Sequence, residues 1–249
     1  NFCKTPAGTG GGIALTQATS STRWVAQGEA CTASATTLTE QTMSGTVADG
    51  GTGVFVYPLA IVSTTSRASF LCVGDSRTLG TGMSVDSFGN QGQITPALTN
   101  QYAYINLGVG GTQLSAFNTS GRTRRALQQY CSHVINGYGI NDLRAAGGNR
   151  TSAQVLADIG AFSKIFPSKS LINSTISPAT SSTDAWATVA NQTADANSAA
   201  WQAVNTAIAA GVAGYGAVID VASATKDAVS TDKWKAPGFT TDGLHGTAS

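Results

Sequence analysis

The sequence predicts an α/β protein built on a doubly wound, parallel sheet of five strands with flanking helices. Two observations support this fold class. From about residue 67 onward, short apolar runs alternate with segments of helical periodicity. Three of these runs lead directly into glycine-rich polar segments, as expected where a chain leaves the carboxyl end of a parallel strand. Residues 1–66 are rich in Thr, Ser and Gly and predict a β-rich N-terminal extension, so we assign the α/β domain to residues 67–249.

Each predicted strand is a short apolar run of the kind buried within a sheet. The five runs are residues 69–73, 102–107, 133–138, 170–176 and 217–221. The clearest helix is predicted at residues 152–166, where an apolar stripe at helical spacing is formed by Val155, Leu156, Ile159, Phe162 and Phe166. Residues 191–210 are rich in alanine and predict a second helix, which ends at Gly211 as its C-cap.

Four short motifs carry groups suited to nucleophilic catalysis. They are Gly74-Asp75-Ser76, Gly110-Gly111, Gly139-Ile140-Asn141-Asp142 and Asp242-Gly243-Leu244-His245. A serine hydroxyl is a weak nucleophile until an imidazole accepts its proton, and that imidazole needs an acceptor to orient it. The oxyanion that forms needs preorganised donors. Ser76, His245, Asp242, Gly111 and Asn141 can fill these roles.

At these motifs the chain resembles the SGNH/GDSL hydrolase family, from about residue 70 to its end. The resemblance implies a flavodoxin-like sheet and a serine esterase in which Ser76 attacks the acyl carbonyl. His245 would accept the serine proton and Asp242 would orient the imidazole. The implied oxyanion hole consists of the backbone N–H groups of Ser76 and Gly111 and the side-chain amide of Asn141.

The motif around the serine argues against the α/β-hydrolase class. That class places its nucleophile in Gly-x-Ser-x-Gly, whereas Ser76 has Gly74 before it but Thr78 after it. Among substrates, short acyl esters such as O-acetyl groups on carbohydrates are favoured, because residues 80–101 and 178–186 lack the long apolar lid that suits a lipid surface. An acyltransferase or lipase of the same fold, or a carbohydrate-binding protein without activity, remain as alternatives.

Two features depart from the family pattern. Arg77 stands where the familiar motif has leucine, and it either contacts an anionic or polar substrate or caps a helix end without a functional role. The chain stops at Ser249, where such proteins continue into a closing helix, so the sequence is either truncated or has lost that helix. Asp75 and Asp142 are expected to organise turns rather than act as acids.

Several other residues receive structural interpretations. His133 lies in the third predicted strand and is interpreted as structural. Cys72 is expected to be a buried thiol, Cys3 and Cys31 are the first choice for a disulfide among three possible connectivities, and the role of Cys131 is left open. Two tryptophans precede the last motif and form either substrate-contacting walls or rim packing: Trp186 and Trp234.

Composition narrows the range of functions. The chain of 249 residues has a formal net charge of +1 without a basic stripe, which gives no footprint for nucleic acid. Its longest apolar stretches are too short or interrupted to span a bilayer, and no His/Cys cluster has zinc-ligand spacing, so neither a membrane span nor a metal or cofactor is expected. Four cysteines in a charge-poor chain that begins at Asn1 favour a secreted or periplasmic protein.

Overall fold

A computed structural model describes residues 29–30, 55–56, 66–84, 91–98 and 101–247 of the chain, which divides into two compact units, Asn1–Ser63 and Thr64–Ser249. In the first unit, β1 (Glu29–Ala30) pairs antiparallel with β2 (Phe55–Val56). The predicted pairing of Cys3 with Cys31 lies outside the described residues.

The second unit is built on a five-stranded parallel sheet, as predicted. Its first four strands are β3 (Ser69–Gly74), β4 (Ala103–Gly108), β5 (His133–Gly137) and β6 (Ser170–Ser174). A separate antiparallel pair follows, formed by β7 (Thr180–Ser182) and β8 (Gln192–Ala194), and then β9 (Ala217–Ile219) completes the sheet. The order across the sheet is β4-β3-β5-β6-β9, which is the flavodoxin-like order implied by the resemblance. The direction of winding therefore changes next to β3, and such a switch point is where open α/β sheets bind ligands.

Helices flank this sheet or follow its strands. Those after the first three strands are short and comprise α1 (Ser76–Leu79), α2 (Thr95–Leu98), α3 (Leu114–Ser120), α4 (Arg122–Ala126) with a 3-10 turn at Leu127–Tyr130, and α5 (Ile140–Leu143). The later helices are α6 (Ser152–Ile165), α7 (Ser198–Ala210) and α8 (Val221–Thr225).

Helix α6 confirms the apolar stripe read from the sequence. Thr151 and Gln154 form a capping box at its start, with the Gln154 N–H donating to Thr151 Oγ1 and the Thr151 N–H donating to Gln154 Oε1. Four residues of the stripe are buried in the core and Leu156 is partly buried against it. The amphipathic pattern therefore packs on the sheet as predicted.

The predicted helix at residues 191–210 begins later than expected. It starts at Ser198, and the first part of the predicted segment forms β8, which pairs with β7. Alanine content is a weak guide to helix here, because pairing with a distant strand overrides local propensity. The Gly211 cap is confirmed, since its N–H donates to Ile208 O at 3.0 Å.

The core lies on both faces of the sheet. Alternate residues of β3 divide between the two faces, with Leu71 and Val73 in one apolar cluster and Phe70 and Cys72 in the other. Burial raises the pKa of Cys72 to about 12, so its thiol stays protonated, as expected of a buried cysteine. No helix in the described part of the chain is long and apolar enough to cross a membrane.

Candidate active site

The first three motifs meet at the carboxyl ends of three adjacent strands. Gly74, Gly108 and Gly137 end β3, β4 and β5, and the register places Gly74 opposite both of the others. Helix α1 lies directly over these strand ends. A Cβ on Gly74 or Gly137 would come within 2.2 Å of Thr78 Oγ1, and one on Gly108 would lie 2.2 Å from the Leu79 nitrogen. The absence of side chains at these three positions therefore allows the helix that carries Ser76 to approach the sheet.

Asp75 fixes the start of this helix. It is the N-cap residue, and its Oδ1 accepts the Arg77 N–H at 2.9 Å. Burial raises the pKa of Asp75 to about 6, although the neighbouring Arg77 charge opposes the shift. Its Oδ2 is buried and has no hydrogen-bond partner among the described residues. The prediction that Asp75 organises the turn is confirmed.

Three side chains from opposite ends of the domain form a hydrogen-bonded chain. Ser76 Oγ lies 2.8 Å from His245 Nε2, and His245 Nδ1 lies 2.6 Å from Asp242 Oδ2. Burial alone would raise the pKa of Asp242, but hydrogen bonds from the His245 ring and from the Leu244 and His245 N–H groups hold it below its usual value. Asp242 is therefore an ionised acceptor, which favours the imidazole tautomer with its proton on Nδ1, and in this tautomer Nε2 accepts a hydrogen bond from Ser76 Oγ.

The loop that carries Asp242 and His245 is folded by its own side chains. Asp242 Oδ1 accepts the N–H groups of Leu244 and His245 at 2.8 and 2.7 Å, so one carboxylate shapes the turn and orients the ring. Thr240 Oγ1 accepts the Gly243 N–H at 2.9 Å and donates to His245 O at 2.7 Å. Thr240 was not among the residues predicted from the sequence. Its position two residues before an aspartate is typical of hydroxyl-stabilised turns, and this was the available signal.

The three implied oxyanion donors lie at this same edge of the sheet. Asn141, on α5, donates through Nδ2 to Thr112 O at 3.2 Å, which leaves the second amide hydrogen free. The backbone N–H groups of Ser76 and Gly111 donate to no acceptor among the described residues. A Cβ on Gly110 would lie 3.9 Å from Ser76 Cβ, so the glycine pair runs past Ser76. Two backbone donors and one amide hydrogen at this edge of the sheet are therefore without an acceptor among the described residues.

Asp142 ties two of the motifs together. Its carboxylate accepts the N–H of Leu114 at 2.9 Å and that of Ser115 at 3.3 Å, at the start of α3. Burial raises its pKa, and these hydrogen bonds oppose the shift. Asp142 therefore joins the asparagine segment to the segment after Gly111, which confirms its expected role in organising turns.

Arg77 was interpreted from the sequence either as a substrate contact or as a helix cap, and the structure contradicts both interpretations. It is 5% exposed, and its guanidinium donates to the backbone oxygens of Leu244, Ser177 and Pro178. An enclosed side chain whose donors point at backbone carbonyls has no face for a substrate. It also does not cap its own helix, because all three acceptors come from distant loops.

The two tryptophans pack against the loop of Asp242 and His245. Trp234 is fully buried and its Nε1–H donates to Gly243 O at 2.9 Å, so its interpretation as a substrate-contacting wall or rim residue is wrong. Trp186 is half-buried, its Nε1–H donates to Thr180 Oγ1, and a Cβ on Gly243 would touch its ring. His133 lies at the other end of β5, where its Nδ1 is hydrogen-bonded to Ser132 Oγ and its ring packs at a tilt against Phe70, which agrees with a structural role.

Comparisons with known proteins identify the fold of this chain. The chain matches no protein-family model, and no curated protein matches it. Among solved structures it is similar to a protein assigned as an acylhydrolase from Bacteroides fragilis, with 17% identity, a TM-score of 0.54 and coverage of 76% of this chain and 83% of the other. A GDSL-like lipase from Bacteroides thetaiotaomicron shares 17% identity at a TM-score of 0.51, covering 72% of this chain and 80% of the lipase. A protein assigned to the G-D-S-L lipolytic family from Desulfitobacterium hafniense shares 18% identity at a TM-score of 0.50, with 70% and 87% covered. The chain has the fold of the SGNH/GDSL hydrolases.

Proposed function

We propose that the protein is a serine esterase that hydrolyses short-chain acyl esters through an acyl-serine intermediate. The observation that carries this proposal is the continuous chain of hydrogen bonds from Ser76 Oγ through the His245 ring to Asp242 Oδ2, at 2.8 and 2.6 Å. A hydroxyl, an imidazole and a carboxylate in this order activate a serine for attack on a carbonyl carbon. The fold shared with the GDSL hydrolases adds support.

In the proposed first step, Ser76 Oγ attacks the ester carbonyl and its proton passes to His245 Nε2. Asp242 Oδ2 accepts the hydrogen bond from Nδ1–H and stabilises the imidazolium that results. The tetrahedral intermediate then releases the alcohol, which takes the proton from Nε2. Water then attacks the carbonyl carbon of the acyl-serine and gives a proton to His245 Nε2. His245 passes this proton to Ser76 Oγ as the bond to the acyl group breaks, which releases the carboxylic acid and restores the serine hydroxyl.

The oxyanion of each tetrahedral intermediate would accept hydrogen bonds from the N–H groups of Ser76 and Gly111 and from the free amide hydrogen of Asn141. Donors that are already fixed in place stabilise such a charge without reorganising. The Asn141 amide is fixed by its bond to Thr112 O, and its backbone carbonyl accepts the Gly148 N–H at 2.7 Å.

We propose short acyl groups, and O-acetyl groups on carbohydrates in particular, as the substrate class. The support comes from the sequence around the site, where residues 80–101 and 178–186 carry no long apolar lid. Glycines also flank the reacting groups, since Gly110 runs past Ser76 and a Cβ on Gly82 would lie 3.3 Å from His245 Cβ. Glycines carry no side chain, so these positions offer little apolar surface to a long acyl chain.

A panel of p-nitrophenyl esters from acetate to palmitate, run beside an assay for acetate release from acetylated sugars, tests the function. We expect the highest kcat/KM on acetate and a loss of about three orders of magnitude or more in Ser76→Ala. Ser163→Ala is the matched control, because among the described residues the Ser163 hydroxyl makes a hydrogen bond only within α6, to Gly160 O. Activity that peaks on long chains would identify a lipase, and absence of hydrolysis of every ester together with sugar binding would identify a binding protein.

A further inference from the structure

Arg77 is the residue next to the nucleophile in the chain, and its side chain ends on the opposite half of the site. Its Nε–H donates to Leu244 O at 2.8 Å, while Nη1 and Nη2 donate to Ser177 O and Pro178 O at 2.7 and 2.6 Å. Burial lowers the pKa of Arg77 to about 10, so the guanidinium stays charged at neutral pH. Hydrogen bonds from a charged donor are stronger than those between neutral groups. The planar guanidinium carries donors on three nitrogens in a fixed geometry, so it can bind several acceptors at once.

The Leu244 carbonyl belongs to the peptide unit whose N–H is that of His245. That N–H donates to Asp242 Oδ1 at 2.7 Å, and the carbonyl accepts from Arg77. Both polar groups of one peptide unit are therefore fixed, and this unit leads directly into the His245 backbone. The direction of the imidazole follows from this anchoring, because the peptide sets where the side chain of His245 begins.

The same guanidinium is held from a second side. Its Cζ lies 5.7 Å from the ring centroid of Trp234, whose Nε1–H donates to Gly243 O. Trp234 is fixed in turn by Gln192, which accepts its N–H and donates to its carbonyl, each at 3.0 Å. Arg77 and Trp234 thus donate hydrogen bonds to consecutive carbonyls of the Asp242–His245 loop, those of Leu244 and Gly243.

We propose that Arg77 is a positioning residue of this active site, whose guanidinium holds the Leu244–His245 peptide so that the His245 ring meets Ser76. The proposal rests on the proposed function. A leucine at this position, as in the familiar family motif, would leave three carbonyls without their donor. A lysine carries its donors on a single atom and cannot reproduce the fork.

The experiment compares Arg77→Leu, Arg77→Lys and Lys169→Met with the wild type, at a temperature where all are folded. Lys169 is the matched control, because its Nζ donates to Cys131 O at 2.7 Å at the opposite end of the sheet. For p-nitrophenyl acetate we expect Arg77→Leu to lower kcat about 10- to 100-fold, with KM within twofold. The kcat of Arg77→Lys should lie between those of Arg77→Leu and the wild type, and Lys169→Met should keep kcat within twofold of the wild type. The rate of Ser76 labelling by a fluorophosphonate should fall by the same factors as kcat.

The His245 ring provides a readout that does not depend on turnover. The chain has two histidines, so the proton on Nδ1 that His245 shares with Asp242 can be assigned by NMR with a His133→Gln variant. We expect this resonance to be sharp in the wild type and broadened or lost in Arg77→Leu. If the wild type hydrolyses no ester, the proposed function fails, while this resonance still tests the positioning by Arg77.

Two results would overturn the proposal. One is an unchanged His245 resonance in Arg77→Leu with kcat within twofold of the wild type. The other is a higher KM with unchanged kcat, which would place Arg77 in substrate binding. If Arg77→Leu does not fold, the comparison of Arg77→Lys with Lys169→Met decides: equal kcat values would also reject the role.

Discussion

Replacing Gly243 with alanine should move the His245 imidazole away from Ser76. Gly243 has φ of +73°, and it lies between Thr180 and Trp186. A Cβ there would stand 1.9 Å from Thr180 O and 2.6 Å from Trp186 Cζ2. The first of these atoms belongs to a backbone that is itself bonded to Gly243, since the Thr180 N–H donates to Gly243 O at 2.9 Å. The loop therefore has to move, because its neighbour cannot give way.

The size of the effect follows from these distances. Ordinary contact begins at 3.4 Å, so relieving a contact of 1.9 Å needs a shift of roughly 1.5 Å (3.4 − 1.9). Displacement of a reacting group by about 1 Å can cost about 100-fold in rate. Overpacking costs about 1 to 3 kcal/mol, and a left-handed backbone at alanine adds about 1 kcal/mol. We expect kcat to fall about 100-fold or more and the free energy of unfolding to fall by about 2 to 4 kcal/mol.

Gly238→Ala is the matched control for backbone strain. Gly238 has φ of +90°, in the same part of the chain, but a Cβ there meets nothing within 4 Å. The Gly238→Ala variant should lose about 1 kcal/mol of unfolding free energy and keep kcat within twofold of the wild type. Steady-state kinetics on p-nitrophenyl acetate and urea unfolding of both variants provide the comparison. If folded Gly243→Ala keeps a kcat within threefold of that of Gly238→Ala, the argument from the Thr180 contact is wrong.

Two further predictions concern the donors and the buried acid beside Ser76. Asn141→Ala should lower kcat about 100- to 1000-fold with little change in KM, because its amide would bind the oxyanion and not the ground state; a pure KM effect would contradict this. Burial raises the pKa of Asp75 from 3.8 to about 6, so the folded protein binds this proton more tightly than the unfolded chain, and stability falls as pH rises through that window. Relative to Asp75→Asn, the wild type should lose about 2 kcal/mol of unfolding free energy between pH 4 and pH 7, as measured by urea unfolding at both pH values. A difference that stays constant with pH would reject the raised pKa.

The sheet and the strand-end half of the site were predictable from the sequence for a physical reason. Parallel strands place their carboxyl ends at one edge, so motifs that directly follow such strands must converge there. The apolar runs at residues 69–73, 102–107 and 133–138 identified those strands. The structure ends the strands at Gly74, Gly108 and Gly137 and pairs these glycines in register. Ser76, Gly111 and Asn141 follow these ends within four residues, which is why they come together.

The contacts of Arg77 could not be predicted from local sequence. Its three acceptors lie 100, 101 and 167 residues along the chain, and they are backbone carbonyls, which every residue possesses. The burial of Trp234 could not be predicted either, because its hydrogen-bond partners are also non-local. Its Nε1–H donates to the Gly243 carbonyl, and its backbone N–H donates to the side chain of Gln192 in β8. Gln192 lies in a short strand within an alanine-rich segment, and the local sequence gives no signal for its hydrogen bonds to Trp234.

The two halves of the site therefore depend on different kinds of support. Ser76 and Asn141 lie in short helices set at the ends of β3 and β5, so the sheet itself holds them. The Asp242–His245 loop belongs to no strand of that sheet, although its internal turn orients the ring through Asp242. Its placement depends on contacts from outside, made by Arg77, Trp234 and the Thr180 segment. Substitutions far from Ser76 and His245 should consequently lower the proposed activity most where they loosen these contacts of the loop.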